Sequence, residues 1–296
     1  MKYLDKKYIN EIVCNSLNIN KEEIKKIVSM GGMTNRNFKV FIKDTWYALR
    51  IPTPGTGDMI NRKEEYNNII YANKIGLDSD LIYFNKGTRV KISKFIENSE
   101  ALNLNSSKKK ENIEMVCSIL RKLHTSKEKM KNIFDIYSKI ELYEKLSKQK
   151  NALFFKDYYN IKEKVYLLKD IIDDIKLVAC HNDTVSENFI KNRENKMYLI
   201  DWEYAGMNDP MWDLAAYCLE NNFTENEEEL FLKTYFKGNV EDKYTKRILI
   251  NKIYQDFLWS IWTTIKEANG DYFGQYGINR YNRAKENLKK VFELMV

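Results

Sequence analysis

Proline is nearly absent from this chain: three in 296 residues, two of them in the segment IPTPGTGD at 51–58. That segment reads as a loop, and elsewhere no Pro/Gly-rich linker, low-complexity tract or internal repeat divides the chain into modules. Histidine is scarcer still, with only His124 and His181, and the four cysteines Cys14, Cys117, Cys180 and Cys218 stand far apart without a C-x-x-C pair. A zinc site therefore lacks ligands, and isolated thiols of this kind suit a reducing compartment as small buried hydrophobes. No apolar run approaches the roughly 18 residues that would span a bilayer. The opening MKYLDKKYINEIV also lacks the apolar core of a signal peptide. A cytoplasmic protein with no membrane partner is the expectation.

What is abundant is charge. A formal excess of +7 invites a nucleic-acid reading, but lysine is spread along the whole chain and mixed with 42 acidic residues. No basic stripe with interleaved aromatics appears, and zinc-finger and RNP patterns are absent, so no nucleic-acid partner is expected. The one dense run, Lys108–Lys110, reads as a solvated helix start. Mild basicity remains compatible with a cleft that handles phosphates.

The hydrophobic pattern changes character part-way along. Residues 5–17 read as a helix. NFKVFI and TWYALRI then alternate apolar and polar residues across a turn at Lys43-Asp44, which predicts a β-hairpin over 37–51. Ahead of it, SMGGMTNRN (29–37) reads as a turn-rich connection. A helix is expected over 61–75, stopped by Gly76, and strands over 81–84 and 89–96. Beyond Glu97 the chain reads as mainly helical: 108–124, long charged helices filling 126–176, then 211–220, 226–237 and 246–267. The last carries Ile250, Ile253, Tyr254, Phe257, Leu258, Ile261 and Ile265 on one face. Two short apolar stretches, KLVAC (176–180) and MYLID (197–201), read as strands. The layout is α+β and two-lobed, a β-rich N-terminal lobe over 1–97 and a mainly helical C-terminal lobe over 98–296.

Chemistry concentrates in HNDTVSENFI (181–190) and YLIDWEYAG (198–206). Phosphoryl transfer needs a carboxylate to position the acceptor hydroxyl and take its proton, together with oxygen ligands for Mg²⁺. The kinase catalytic loop H-R-D-x-x-x-x-N supplies both in one segment. Here His181, Asp183 and Asn188 match that spacing, with Asn182 in place of the arginine, and His181 is assigned the role of bracing the loop. Asp201 closes an apolar strand 13 positions after Asn188, where a second metal ligand is expected. For ATP, SMGGMTNRN with Thr34 and Asn35 is a candidate phosphate-covering turn, though it is not G-x-G-x-x-G. Arg50, on the same strand side as Trp46 and Ala48, is the candidate phosphate cation. Its expected acidic partner is Glu65, with Glu64 in reserve.

With these residues assembled, the chain resembles the choline/ethanolamine kinase family, in particular its bacterial choline kinases, a branch of the aminoglycoside-phosphotransferase-like, protein-kinase-like fold. The resemblance runs through GGMTNRNFKV, ALRIP, RKEEY, ISKFIE, LRKLH, HNDTVSENFI, LIDWEYAGMNDPMWDLA and FLWSIW, nearly the entire chain. It implies ATP as co-substrate, Asp183 as the base and Asn188 and Asp201 as Mg²⁺ ligands. It puts Phe95 and Ile96 at the adenine-binding hinge. Glu220, seven positions after Asp213, matches an acidic position lining the family's choline site, and Tyr204, Trp259, Trp262 and Tyr276 match its aromatic walls. A trimethylammonium group donates no N–H hydrogen bond and is held by aromatic faces and a carboxylate, and Trp259 and Trp262 are helix neighbours. The alternatives are an ethanolamine or aminoglycoside phosphotransferase and a nucleotide-binding pseudokinase. An aromatic box fits a polycationic sugar poorly, and the intact Asp183, Asn188 and Asp201 set argues against a pseudokinase. The oligomeric state is left open.

Overall fold

Alternation along the 35–52 segment decides the first sheet. The computed structural model describes residues 5–31, 35–52, 59–172 and 175–293. Strands β2 (Asn35–Ile42) and β3 (Thr45–Pro52) pair antiparallel around the expected turn, where Lys43 takes the left-handed conformation. Phe38, Val40 and Ile42 of β2 and Leu49 and Ile51 of β3 point to one face. There they bury against Ile9 and Val13 of helix α1 (Lys6–Leu17). Each such side chain contributes about 1.5–3 kcal/mol on burial. The opposite face carries Asn37, Lys39 and Phe41 in register with Arg50, Ala48 and Trp46. A period of two thus puts the core on one side of the sheet and Arg50 on the other.

Strand β1 (Ile24–Gly31) was not anticipated, and it takes residues 29–31 out of the expected turn. It is an edge strand, and only Ile24 and Ile27 reach the core, so its sequence lacks the alternation that marks a half-buried strand. Helix α2 (Arg62–Lys74) ends before Gly76, whose φ of +66° suits glycine. Strands β4 (Leu81–Phe84) and β5 (Lys91–Lys94) complete an antiparallel sheet of order β1-β2-β3-β5-β4. The expected 89–96 strand is therefore shorter. Of the proline segment 51–58, Ile51 and Pro52 close β3 and the remainder lies outside the described residues, as does Thr34.

Two compact units emerge: Met1–Glu100 with Ile190–Glu203, and Ala101–Phe189 with Tyr204–Val296. In the first, β8 (Phe189–Asn192) pairs with β9 (Met197–Leu199) and carries the short β6 (Ser99–Ala101) on its other edge. In the second, β7 (Val178–Cys180) pairs antiparallel with β10 (Gly206–Asn208). Strands β6, β8 and β10 were not anticipated: β7 and β9 are as short but apolar, whereas SEA, FIKN and GMN are broken by polar residues. Helix α3 (Lys110–His124) matches expectation. Among the described residues of the charged region 126–176, helices do not fill the span: α4 (Ile136–Gln149), α5 (Tyr158–Leu167) and a 3-10 turn at Leu168–Ile171 occupy it.

The second unit is built on α8 (Asp242–Ala268), which packs against α4, α6 (Pro210–Glu220) and α9 (Tyr276–Glu293); α7 (Glu225–Phe236) lies on α3. Rather than one apolar face, α8 is buried on every side between Ile253 and Lys266, polar Gln255, Asp256, Ser260, Thr263 and Thr264 included. Gln255, Asp256 and Thr264 find partners on α6, α9 and α4, while Ser260 and Thr263 bond carbonyls of α8 itself. Helix α9 was missed because Tyr281, Ala284, Leu288 and Val291, its buried stripe, are outnumbered by charged and amide residues. Its start closes tightly on α8: a Cβ at Gly277 would stand 2.8 Å from Cγ2 of Thr263. Only glycine permits that approach, and it brings Tyr276 alongside α8.

Candidate active site

The loop after β7 is shaped by a residue that the sequence reading used only as a landmark. Asp213, fully buried in α6, accepts the backbone N–H of His181 at 2.8 Å and of Asn182 at 2.7 Å. His124 meets the same carboxylate through Nε2 at 3.0 Å, and its Nδ1 is 2.7 Å from the Tyr235 hydroxyl. The Thr184 hydroxyl donates to the Asp213 carbonyl and the Trp212 indole to the carbonyl of Asn182. Asn182 adopts φ +65°, a left-handed conformation that asparagine tolerates better than arginine. Its amide bonds the Tyr204 carbonyl at 3.0 Å. His181 thus joins the brace through its backbone, and Asp213 does the bracing.

Within this scaffold Asn188, in the 3-10 turn Ser186–Asn188, donates its amide to the Asp183 carbonyl at 2.8 Å and lies 3.4 Å from the Asp183 carboxylate. The loop therefore brings Asp183 and Asn188 together. Truncating Asp213 to alanine would strand two buried N–H donors at about 1–3 kcal/mol each. The expected result is a marked fall in melting temperature together with lower turnover, measured by thermal denaturation and rate on one preparation. Wild-type values for both would refute the brace.

In the other unit, Arg50 is 6% exposed and donates to Glu65 and, at 2.9 Å, to Asp201. Glu65 is the partner, and Glu64 instead accepts the Asn61 side-chain amide. Two residues escaped the sequence reading. Arg62 donates to Glu65 at 2.6 Å and to Glu203 at 3.2 Å, and Glu203 lies 3.7 Å from Arg50. Their signals were present in retrospect, an i,i+3 Arg–Glu pair in RKEEY and the second acid of DWE. Burial first, then the Asp201 charge, push the Glu203 carboxyl up to about 7 against the pull of Arg50. Carboxylate oxygens of Glu65, Asp201 and Glu203 lie within 4.8 Å of one another, a hard-oxygen set of the kind Mg²⁺ accepts. Only the Asp201 side chain, 30% exposed, keeps a face for a ligand, whereas those of Glu65 and Glu203 are at 0% and 6%.

Phe95 donates its N–H to the Trp46 carbonyl at 3.0 Å, and the Lys39 ammonium sits 4.1 Å over its ring. These two side chains open a cavity of about 540 Å³, also bounded by Asn98, Lys191 and Arg193. Ile96 is half-buried, its carbonyl accepting the Ser99 hydroxyl at 2.5 Å. Asn35 is buried at the start of β2.

The aromatic residues do assemble. Tyr204 meets Trp259 edge-on at 5.2 Å between centroids, Trp259 meets Trp262 at 6.2 Å, and Trp262 meets Phe273 at 5.1 Å. Phe273, unforeseen, links this row to Tyr276 at 6.5 Å. Desolvation, then the carboxylates of Glu220 and Asp183, push the Tyr276 phenol above its usual range, which places Asp183 within electrostatic reach of the row. Glu220 is not free: Arg280 of α9, also unforeseen, holds it.

A catalytic-type loop in one unit and an Arg–Glu–Asp cluster in the other are kinase features. The family model "Choline/ethanolamine kinase" matches residues 26–285. The chain belongs to the choline/ethanolamine kinase family. It is accordingly a phosphotransferase with an alcohol acceptor, and its fold is the protein-kinase-like one. Choline kinase LicA from Streptococcus pneumoniae has a similar structure, with a TM-score of 0.83 and 35% identity over 96% of this chain and 99% of that one. A LicA structure in complex with AMP gives 0.82 and 35%, over 96% and 98%. Protein LicA of Haemophilus influenzae is 31% identical over 273 residues, 89% of this chain and 80% of that protein. Among the described residues, no helix of this family member is long and apolar enough to cross a membrane.

Proposed function

We propose that this enzyme transfers the γ-phosphoryl group of ATP to the hydroxyl of choline, giving phosphocholine and ADP. The observation that carries this reading is the aromatic row Tyr204–Trp259–Trp262–Phe273–Tyr276, edge-to-face from Tyr204 to Phe273 and tilted at Tyr276, in the same unit as Asp183. A quaternary ammonium offers no N–H donor, and aromatic faces are what recognise it. The name of the Streptococcus pneumoniae relative, choline kinase LicA, agrees with this substrate.

In this reading Asp183 orients the choline hydroxyl and takes its proton. Asn188 holds the Asp183 loop segment and offers its side-chain oxygen to Mg²⁺, as Asp201 offers its carboxylate. Bound Mg²⁺ would neutralise charge developing on the phosphates. Arg50, fixed by Glu65, supplies positive charge to the phosphates. Thr34 and Asn35 cover them, and Phe95 and Ile96 contact the adenine. Tyr204, Trp259, Trp262, Tyr276 and Glu220 surround the head group. ATP as co-substrate fits a cytoplasmic location.

An ADP-release assay across choline, ethanolamine, thiamine and an aminoglycoside tests the substrate. Choline is expected to give the highest kcat/KM, and a higher value for any other acceptor would overturn the assignment. Trp262→Ala tests the row itself. A desolvated cation–π contact is worth about 2 kcal/mol, so the KM for choline should rise about tenfold or more. The KM for ethanolamine should rise less, and kcat should move less than either. Trp262 is also 8% exposed, so the melting temperature will fall, as truncation of a core aromatic costs about 3–5 kcal/mol. A folded variant that keeps the wild-type preference between the two amines would show that Trp262 is only packing.

A further inference from the structure

Glu220 has a partner that the sequence did not announce. Arg280, one turn into α9, is 4% exposed and engages two carboxylates at once, Oε1 of Glu220 and, at 3.1 Å, Oδ1 of Asp256. Its guanidinium carbon lies 4.6 Å from the centroid of the Tyr276 ring. Asp256 is fully buried and is also bonded twice by Arg283, at 2.6 Å and 2.6 Å. The four groups balance in formal charge, two acids against two guanidiniums. Glu220 is the more exposed of the two acids, its side chain at 19% against 0% for Asp256.

This arrangement has a consequence for head-group choice. A primary ammonium is held best by a carboxylate that accepts its N–H donors in charge-assisted hydrogen bonds. A carboxylate already bonded to a guanidinium has one oxygen occupied and its charge compensated, so it offers such a ligand much less. A quaternary ammonium has no N–H to lose and gains from ring faces in either case. Arg280 also backs the ring of Tyr276, fixing one member of the aromatic row.

Given the head-group site proposed above, on which this step rests, we infer that Arg280 is a specificity-determining positioning residue. By engaging Glu220 and backing Tyr276 it favours quaternary over primary ammonium alcohols. The bland role is a clamp between α6, α8 and α9, and the two roles separate experimentally.

The experiment compares KM for choline and for ethanolamine, with kcat and melting temperature, in the wild type, Arg280→Gln, Arg280→Lys and Glu220→Gln. Freeing Glu220 in Arg280→Gln is expected to lower the ratio of the ethanolamine KM to the choline KM by about tenfold, the value of one charge-assisted hydrogen bond. The change in kcat should be smaller. Lysine keeps the charge but not the fork that reaches both acids, so Arg280→Lys is expected to shift the ratio the same way by about threefold. Glu220→Gln leaves Asp256 alone against the two guanidiniums, a net positive charge beside the site, so both KM values should rise together and the ratio should hold.

A clamp alone would lower the melting temperature in every variant and leave the ratio at its wild-type value. An unchanged ratio in folded Arg280→Gln or Arg280→Lys overturns the inference. Should neither fold, the guanidinium is a clamp first and the inference falls; Glu220→Gln supplies a further check. A ratio that rises more than about threefold would mean that Glu220 already bonds the primary ammonium in the wild type, and would overturn the inference equally. A wild-type enzyme that phosphorylates neither amine sinks the substrate reading instead, so the two failures are told apart.

Discussion

Asp183→Asn is expected to lower turnover by about 10²- to 10⁴-fold, the usual cost of losing a general base, while nucleotide affinity stays close to wild type. The substitution is nearly isosteric, and backbone and Asp213 bonds hold the loop. Asp213 holds the loop through the N–H groups of His181 and Asn182, and Asn188 bonds the Asp183 carbonyl, which asparagine retains. The melting temperature should therefore be unchanged, and the loss should fall on kcat. Single-turnover rates with saturating ATP and choline, set beside an equilibrium titration with ADP, separate the two quantities. Near-normal turnover would remove Asp183 from the chemistry.

Asp201→Ala should reduce turnover by on the order of 10³-fold or more. Metal neutralisation of transition-state charge is worth several kcal/mol, and each 1.36 kcal/mol is tenfold in rate. The fold should tolerate the change. The Asp201 side chain is 30% exposed, and Arg50 keeps Glu65 and Glu203 as counter-charges. Excess EDTA should abolish the wild-type rate and Mg²⁺ should restore it, since hard oxygen donors together with phosphate suit that ion. Substantial turnover in EDTA, or an Asp201→Ala enzyme of ordinary rate, would show the metal assignment to be wrong.

Much of the fold could be read from local pattern. The hairpin over β2 and β3 follows from period-two alternation, and α2, α3, α6 and α7 from helical spacing, since side-chain direction is tied to backbone period. Elements without an apolar pattern of their own stayed hidden. Edge strand β1 faces solvent for most of its length, β6, β8 and β10 are short and lack the apolar run that marked β7 and β9, and α9 buries its stripe among charges. For α8 the sequence suggested one apolar face. The helix is instead enclosed, because three neighbouring helices pack round it and give Gln255, Asp256 and Thr264 polar partners that no local window contains.

The sequence by itself determined the family, the kinase-type spacing of Asp183 and Asn188, and an Arg50 partner narrowed to Glu65 or Glu64. Each rests on residue types at short or fixed separations, and chemistry dictates those separations. Only the tertiary structure decided the partners that meet across long stretches of chain. Arg50 and Asp201 are 151 residues apart, Asp213 reaches back 32 residues to His181, and Arg280 closes on Glu220 across 60. A buried charge must be matched wherever the fold delivers a counter-charge. Which acid meets which guanidinium is set by how strands and helices pack, and no local stretch of sequence encodes it.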